Sequence, residues 1–132
     1  MQEITKFLQD AGAFFFTTVE NGESRVRPLG FFMAYEDKLY FGVGKQKAVY
    51  AQLAANPRFE LCALRGGAEW LRLRAKAVFD PRETVKEAAF AALPMLKDLY
   101  GAPDGPQLML FYADGPSAVI ADMEGHSRRV EC

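Results

Sequence analysis

The residue types that carry much of enzyme chemistry are almost missing from this 132-residue chain, which has one histidine, two cysteines and one tryptophan. His126 lies between Gly125 and Ser127, far from Cys62, so a zinc site with ordinary Cys/His spacing cannot be assembled from this set. The two cysteines make no disulfide framework, since Cys62 sits inside an apolar segment and Cys132 is the last residue. That usage fits a reducing, cytoplasmic setting. No apolar run approaches the roughly 20 residues of a membrane span. Met1 leads into polar Gln2 and Glu3 rather than a secretory leader, so no membrane association is expected. The net charge of −1 lacks the strong basic excess of a general nucleic-acid binder.

What is present is a composition for one globular domain spanning residues 1–132, with 50% hydrophobic and 13% aromatic residues. Charge is unevenly spread: Arg25 to Lys76 carries a balance of +6 and the remainder −7. A basic middle in an acidic protein points to a compact anionic ligand rather than a polyanion.

Periodicity predicts a short opening helix over Glu3–Gly12, then a strand over Ala13–Glu20 ended by Asn21-Gly22, a pair that favours a primed hairpin turn. The return strand is read as Ser24–Tyr35, bulged or at an edge near Pro28, which has no N–H to donate. After the Glu36-Asp37 turn a strand runs over Lys38–Val43, then a helix from about Gln46 to Ala55 and a strand over Arg58–Leu64. The next strand, to Phe79, alternates cleanly, with Trp70, Arg72, Arg74 and Lys76 on its polar face. Asp80-Pro81-Arg82-Glu83 reads as a helix start with Asp80 as cap. Two further strands, Gln107–Tyr112 and Ser117–Glu124, are separated by a Gly115-Pro116 turn, and the tail from Gly125 shows no periodicity. Seven hairpin-linked strands and three helices predict an antiparallel β-barrel with peripheral helices.

Gly42-Val-Gly-Lys-Gln-Lys47 is neither a phosphate loop of the nucleoside-triphosphate type, because Leu39 stands where a glycine is needed, nor a dinucleotide fingerprint, because Lys47 replaces its third glycine. It still joins a strand to a helix N-terminus with two lysines, where free N–H groups favour an anion. Arg25 and Arg27 share one face of the strand, so Arg25 or Arg27 can close over the same phosphate; the alternative is a solvent-facing pair on an edge strand. Glu60 with Glu69, or Cys62 with His126, would be the remaining candidates for chemistry. Exposed strand positions explain the two glutamates as well, and the Cys62–His126 pair needs the fold to join them, a lone strand cysteine usually being a small buried hydrophobe.

The run Arg25-Val-Arg-Pro-Leu-Gly30, Lys38-Leu-Tyr-Phe41, Gly44-Lys-Gln-Lys47 and Glu69-Trp-Leu-Arg-Leu-Arg74, in this order, resembles the pyridoxamine 5′-phosphate oxidase-like family of FMN-binding split barrels. The resemblance implies a mainly β, antiparallel split barrel that binds FMN as a homodimer. Arg25, Val26, Arg27 and Pro28 would line the flavin, with Arg25 or Arg27 at its phosphate. Tyr40 and Phe41 would pass beside it, Gln46 and Lys47 would hold the phosphate at the helix start, and Trp70 would approach from the partner subunit. Two departures set the chain apart from the true oxidases: Gly30 replaces a lysine that contacts substrate phosphate there, and the tail lacks their closing Trp and Arg motif. The pattern is closer to the general, nitroimidazole-reductase-like branch. The expected function is therefore an FMN-dependent oxidoreductase passing hydride or electrons from reduced nicotinamide to a small acceptor. The alternatives are a non-enzymatic flavin-binding or electron-carrier protein and a related barrel using haem or a deazaflavin. The successive Phe14, Phe15 and Phe16 put bulk on both faces of one strand, which a dimer partner or a covering helix would bury.

Overall fold

The computed structural model describes residues 1–132. Its elements, in chain order, are α1 (Gln2–Ala11), β1 (Phe14–Glu20), β2 (Glu23–Leu29), β3 (Phe32–Tyr35), β4 (Lys38–Gly44) and α2 (Ala48–Ala55). There follow β5 (Arg58–Arg65), β6 (Glu69–Phe79), α3 (Glu83–Ala92), α4 (Met95–Tyr100), β7 (Leu108–Asp122) and β8 (Ser127–Val130). Every strand pair is antiparallel, in the order β2-β1-β5-β6-β7-β4-β3, with β8 added to β7. The two edge strands, β2 and β3, are consecutive in the chain yet unpaired with each other, so the curled sheet remains open along that line.

The β1–β2 turn forms as the sequence predicts, with Asn21 at φ 52° and Gly22 at φ 77°. Glu36 and Asp37 adopt the same left-handed pair without a glycine, at φ 50° and 61°. Glu36 is tethered from outside the turn by Arg82, 2.6 Å away, which offsets some of the strain of that conformation.

Four sequence readings are corrected. The strand read as Ser24–Tyr35 is two, broken at Gly30-Phe31, because its halves serve opposite edges of the sheet. Gln107–Tyr112 and Ser117–Glu124 are one strand, β7, in which Gly115-Pro116 is a local irregularity: its register on β6 shifts between Arg74 and Lys76, so the missing proline N–H breaks no ladder bond. The tail forms β8, whose single buried apolar side chain, Val130, is too little to give a readable period. Asp80 does not cap α3. The helix starts at Glu83 behind Arg82, and Asp80 instead accepts hydrogen bonds from Arg82 and from the Tyr40 hydroxyl. The totals become eight strands and four helices.

The barrel interior is aromatic: Phe14, Phe16, Phe41, Phe59 and Phe111 interlock with centroids 4.6–5.9 Å apart, Phe16 and Phe59 stacked and most others edge-on. α1 packs Ile4, Phe7 and Leu8 into this cluster and α2 adds Val49 and Leu53. A second core lies outside the barrel, where Met33, Tyr40, Leu108 and Leu110 meet Val85, Ala89 and Leu96 of α3 and α4. No helix is long and apolar enough to cross a membrane, and no group of histidine, cysteine and acidic side chains forms a metal cluster.

Candidate flavin-phosphate site

Arg27 lies on the inner side of β2, opposite Phe16 of β1. Its Nη1 donates to the Phe16 carbonyl at 3.2 Å and to Thr18 Oγ1 at 2.8 Å, and its Nη2 donates to Gln52 Oε1 at 2.5 Å. Thr18 and Gln52 are themselves buried and joined by a 2.5 Å hydrogen bond. All these acceptors are neutral, and Arg27 forms no ion pair. Burial holds its pKa below the ordinary arginine value, against the opposing field of Glu20. Nε–H and the second Nη2–H, which form the side-on edge of the guanidinium, have no acceptor. A half-buried cation anchored by neutral groups, with a bidentate edge left open, is built to receive an anion.

The other sequence-selected residues divide sharply. Arg25 is exposed and satisfied by its own hairpin, 3.4 Å from Glu20 and 3.2 Å from Glu23. It therefore lacks the open edge that Arg27 has. Val26 and Pro28 point to the outer face, where Val26 is 65% exposed. Tyr40 and Phe41 are fully buried in the two different cores, so only their backbone is available to a ligand. Gln46 and Lys47 are exposed just before α2, with Lys47 at its N-cap. The Gln46 amide lies over Gly44, where a Cβ would come within 2.7 Å of Oε1, so any side chain at position 44 would displace that amide. Trp70 is half-buried on the outer face, opposite Leu64 and Ala121.

The sequence reading expected β2 to reach the helix start as the hairpin partner of β4. The structure pairs β2 with β1 alone and brings Arg27 to α2 through Gln52, in that helix's second turn. Thr18 and Gln52 were missed, although each left a signal. Thr18 continues the inward series Phe14, Phe16, and Gln52 shares the apolar helix face of Val49 and Leu53. A polar residue at a core position needs a partner.

The outer face of β2-β1-β5-β6 carries exposed Phe15 (47%), Val26 and Leu64 (50%). Beside them runs the basic row Arg72, Arg74 and Lys76 of β6 with Arg58 of β5. A groove of about 520 Å³ opens there, between Thr17 of β1 and Ser117 of β7.

The family model for pyridoxamine 5′-phosphate oxidase matches residues 1–120. The chain belongs to the pyridoxamine 5′-phosphate oxidase family. Among solved structures, a NimC/NimA family protein from Clostridium acetobutylicum shares 31% identity over 98% of this chain and 93% of its own, with a TM-score of 0.88. A pyridoxamine 5′-phosphate oxidase-related, FMN-binding protein from Nostoc punctiforme has the same fold at 16% identity, covering 99% of this chain and 96% of its own, with a TM-score of 0.61. An FAD-binding protein from Mesorhizobium loti, also at 16% identity and TM-score 0.61, covers 92% and 94% of the two chains. No curated protein matches the chain. The split barrel expected from the sequence is thus the observed architecture of this pyridoxamine 5′-phosphate oxidase family member. At Gly30, the position read as a departure from the true oxidases, nothing lies within 4 Å of a built Cβ, so packing does not demand glycine there.

A polar cluster apart from Arg27 is structural. The Tyr40 hydroxyl, under α3, donates to Asp80 at 2.7 Å, and Arg82 bridges Asp80 and Glu36 at 2.9 and 2.6 Å. Burial and the Asp80 carboxylate push the Tyr40 pKa up to about 12. The Arg82 guanidinium holds the Asp80 carboxyl well below its usual range. The network ties the β3–β4 turn to the start of α3 and uses up its charges internally.

Proposed function

We propose that this chain is an FMN-dependent oxidoreductase, acting as a homodimer, that passes hydride or electrons from reduced nicotinamide to a small acceptor. The observation that carries the reading is the Arg27 guanidinium, half-buried, free of any carboxylate partner and open along one bidentate edge. The residues fit FMN: Arg27, with Lys47 and Gln46 at the start of α2, would hold the phosphate. The backbone of Arg25–Pro28 and of Tyr40–Phe41 would flank the ring, and Val26 and Pro28 offer it an exposed apolar strip. When bound, the flavin supplies the two-electron chemistry, and the protein supplies binding, orientation and electrostatics. That division fits a chain whose one histidine is exposed and paired with Asp122.

The dimer reading draws on the outer face. Phe14 and Phe16 fill the core while Phe15 between them stays 47% exposed beside Pro28 and Cys62, an apolar surface suited to a second copy. In such a dimer the partner's outer face would bring its tryptophan, Trp70 in each copy, toward the ring. The test is anaerobic stopped-flow mixing of FMN-loaded protein with NADH and with NADPH. Bleaching of the flavin by either is expected. Bleaching by dithionite alone would instead make the protein an electron carrier.

A further inference from the structure

The outer-face groove has a charge arrangement that the flavin-phosphate site does not use. Arg58 of β5 lies directly opposite Lys76 of β6, a like-charged cross-strand pair that destabilises a sheet unless something neutralises it. Neither forms an ion pair, and neither does Arg74, one position along the same face. Two acids line the groove as well, Glu60 opposite Arg74 and Asp114 opposite Lys76. Direct opposition would allow both to close onto those cations, yet neither makes an ion pair or a side-chain hydrogen bond. Five charged side chains thus remain open in one concave space of about 520 Å³, within the roughly 300–1,000 Å³ range of small-molecule sites.

The backbone accounts for the concavity. The register of β6 on β7 shifts between Arg74 and Lys76, and Gly115 of β7 takes φ 61°. An irregularity of this kind bends the strand and re-aims the side chains beside it. The groove also borders the proposed flavin strip, since its wall residue Thr17 is the direct cross-strand neighbour of Val26.

We infer that this groove is a nucleotide subsite, taking the phosphorylated ribose arm of a reduced nicotinamide dinucleotide, with Arg58, Arg74 and Lys76 on the phosphates and Glu60 and Asp114 accepting from ribose hydroxyls. Phosphate alone would be served by cations without acids. The two unpaired carboxylates among them match a ligand that carries both anionic oxygens and hydroxyl donors. As a role in electron donation this rests on the flavin reading, but the binding itself does not.

The test uses ADP-ribose, which has the arm and no nicotinamide, titrated calorimetrically into the full chain with and without FMN. FMN is titrated separately into the same proteins. ADP-ribose is expected to bind in both cases, weakening as salt is raised. The Arg74→Gln/Lys76→Gln variant should bind it at least ~10-fold more weakly, with FMN affinity unchanged. Arg58→Gln, on another strand, gives an independent variant with the same expectation. The inference is overturned if the native chain does not bind ADP-ribose, if the variants bind it equally well, or if FMN affinity falls in parallel. A chain that binds ADP-ribose through these residues but takes up no FMN would remove the flavin reading and keep the nucleotide subsite.

Discussion

Replacing Arg27 by alanine separates its place in the fold from the phosphate contact proposed for it. Toward the fold, Arg27 ties β2 to β1 and α2 by donating to Thr18 and Gln52, both buried. Removing it leaves the 2.5 Å Thr18–Gln52 hydrogen bond and the 3.4 Å donation from Gln52 to Glu20 in place, so both buried side chains keep a partner, and the loss of stability should be about 1–3 kcal/mol. Toward a phosphate, Arg27 offers two donors, Nε–H and one Nη2–H. Charge-assisted bonds from both, in a half-buried setting, should contribute about 2–3 kcal/mol, or roughly 30- to 150-fold in affinity. Riboflavin, which has the ring and no phosphate, cannot use them. Fluorescence titration of native and Arg27→Ala protein with each flavin therefore gives a double difference: FMN affinity falls by that factor, riboflavin affinity changes little. Arg27→Lys keeps the charge and loses the fork, and should fall between. Equal losses for the two flavins would refute the phosphate assignment. So would native protein that binds both equally.

Phe15→Arg places a charge on the exposed outer face without entering the core and should convert a dimer to a monomer by light scattering, with the far-ultraviolet spectrum retained. Tyr40→Phe removes the 2.7 Å bond to Asp80 and should cost about 1 kcal/mol in chemical denaturation at neutral pH. Because the folded Tyr40 pKa is raised to about 12 from an ordinary 10.0, its contribution is fully present below pH 10 and lost as pH rises through 12, so native and Tyr40→Phe stabilities should converge over that window. Asp80 works in the opposite sense: its lowered pKa gives stability above the unfolded value that is lost as pH falls. Asp80→Asn should therefore flatten the acid limb of the stability profile.

The sequence disclosed the elements whose signals are local. Asn21-Gly22 fixed a turn, the alternation from Leu71 to Phe79 fixed a strand and its basic face, and Asn56-Pro57 marked the end of α2. It concealed whatever depends on which strands meet. The Gly30-Phe31 break is invisible locally, because only the pairing of β2 and β3 with opposite edges requires it. Gly115-Pro116 looks like a turn until it is seen as the site of a bulge in β7, two residues facing the single Ala75 of β6. For the same reason Arg25 and Arg27, equivalent in the sequence, have different fates: one meets the acids of its own hairpin and the other meets Gln52 of α2. Tyr40 and Phe41 are adjacent in the sequence, and their side chains are buried in different cores.

Native mass spectrometry of the protein after incubation with FMN and removal of the excess tests the flavin-binding homodimer most directly. A species of two chains carrying two FMN molecules is expected. A single chain holding FMN, or a dimer that retains none, would contradict it.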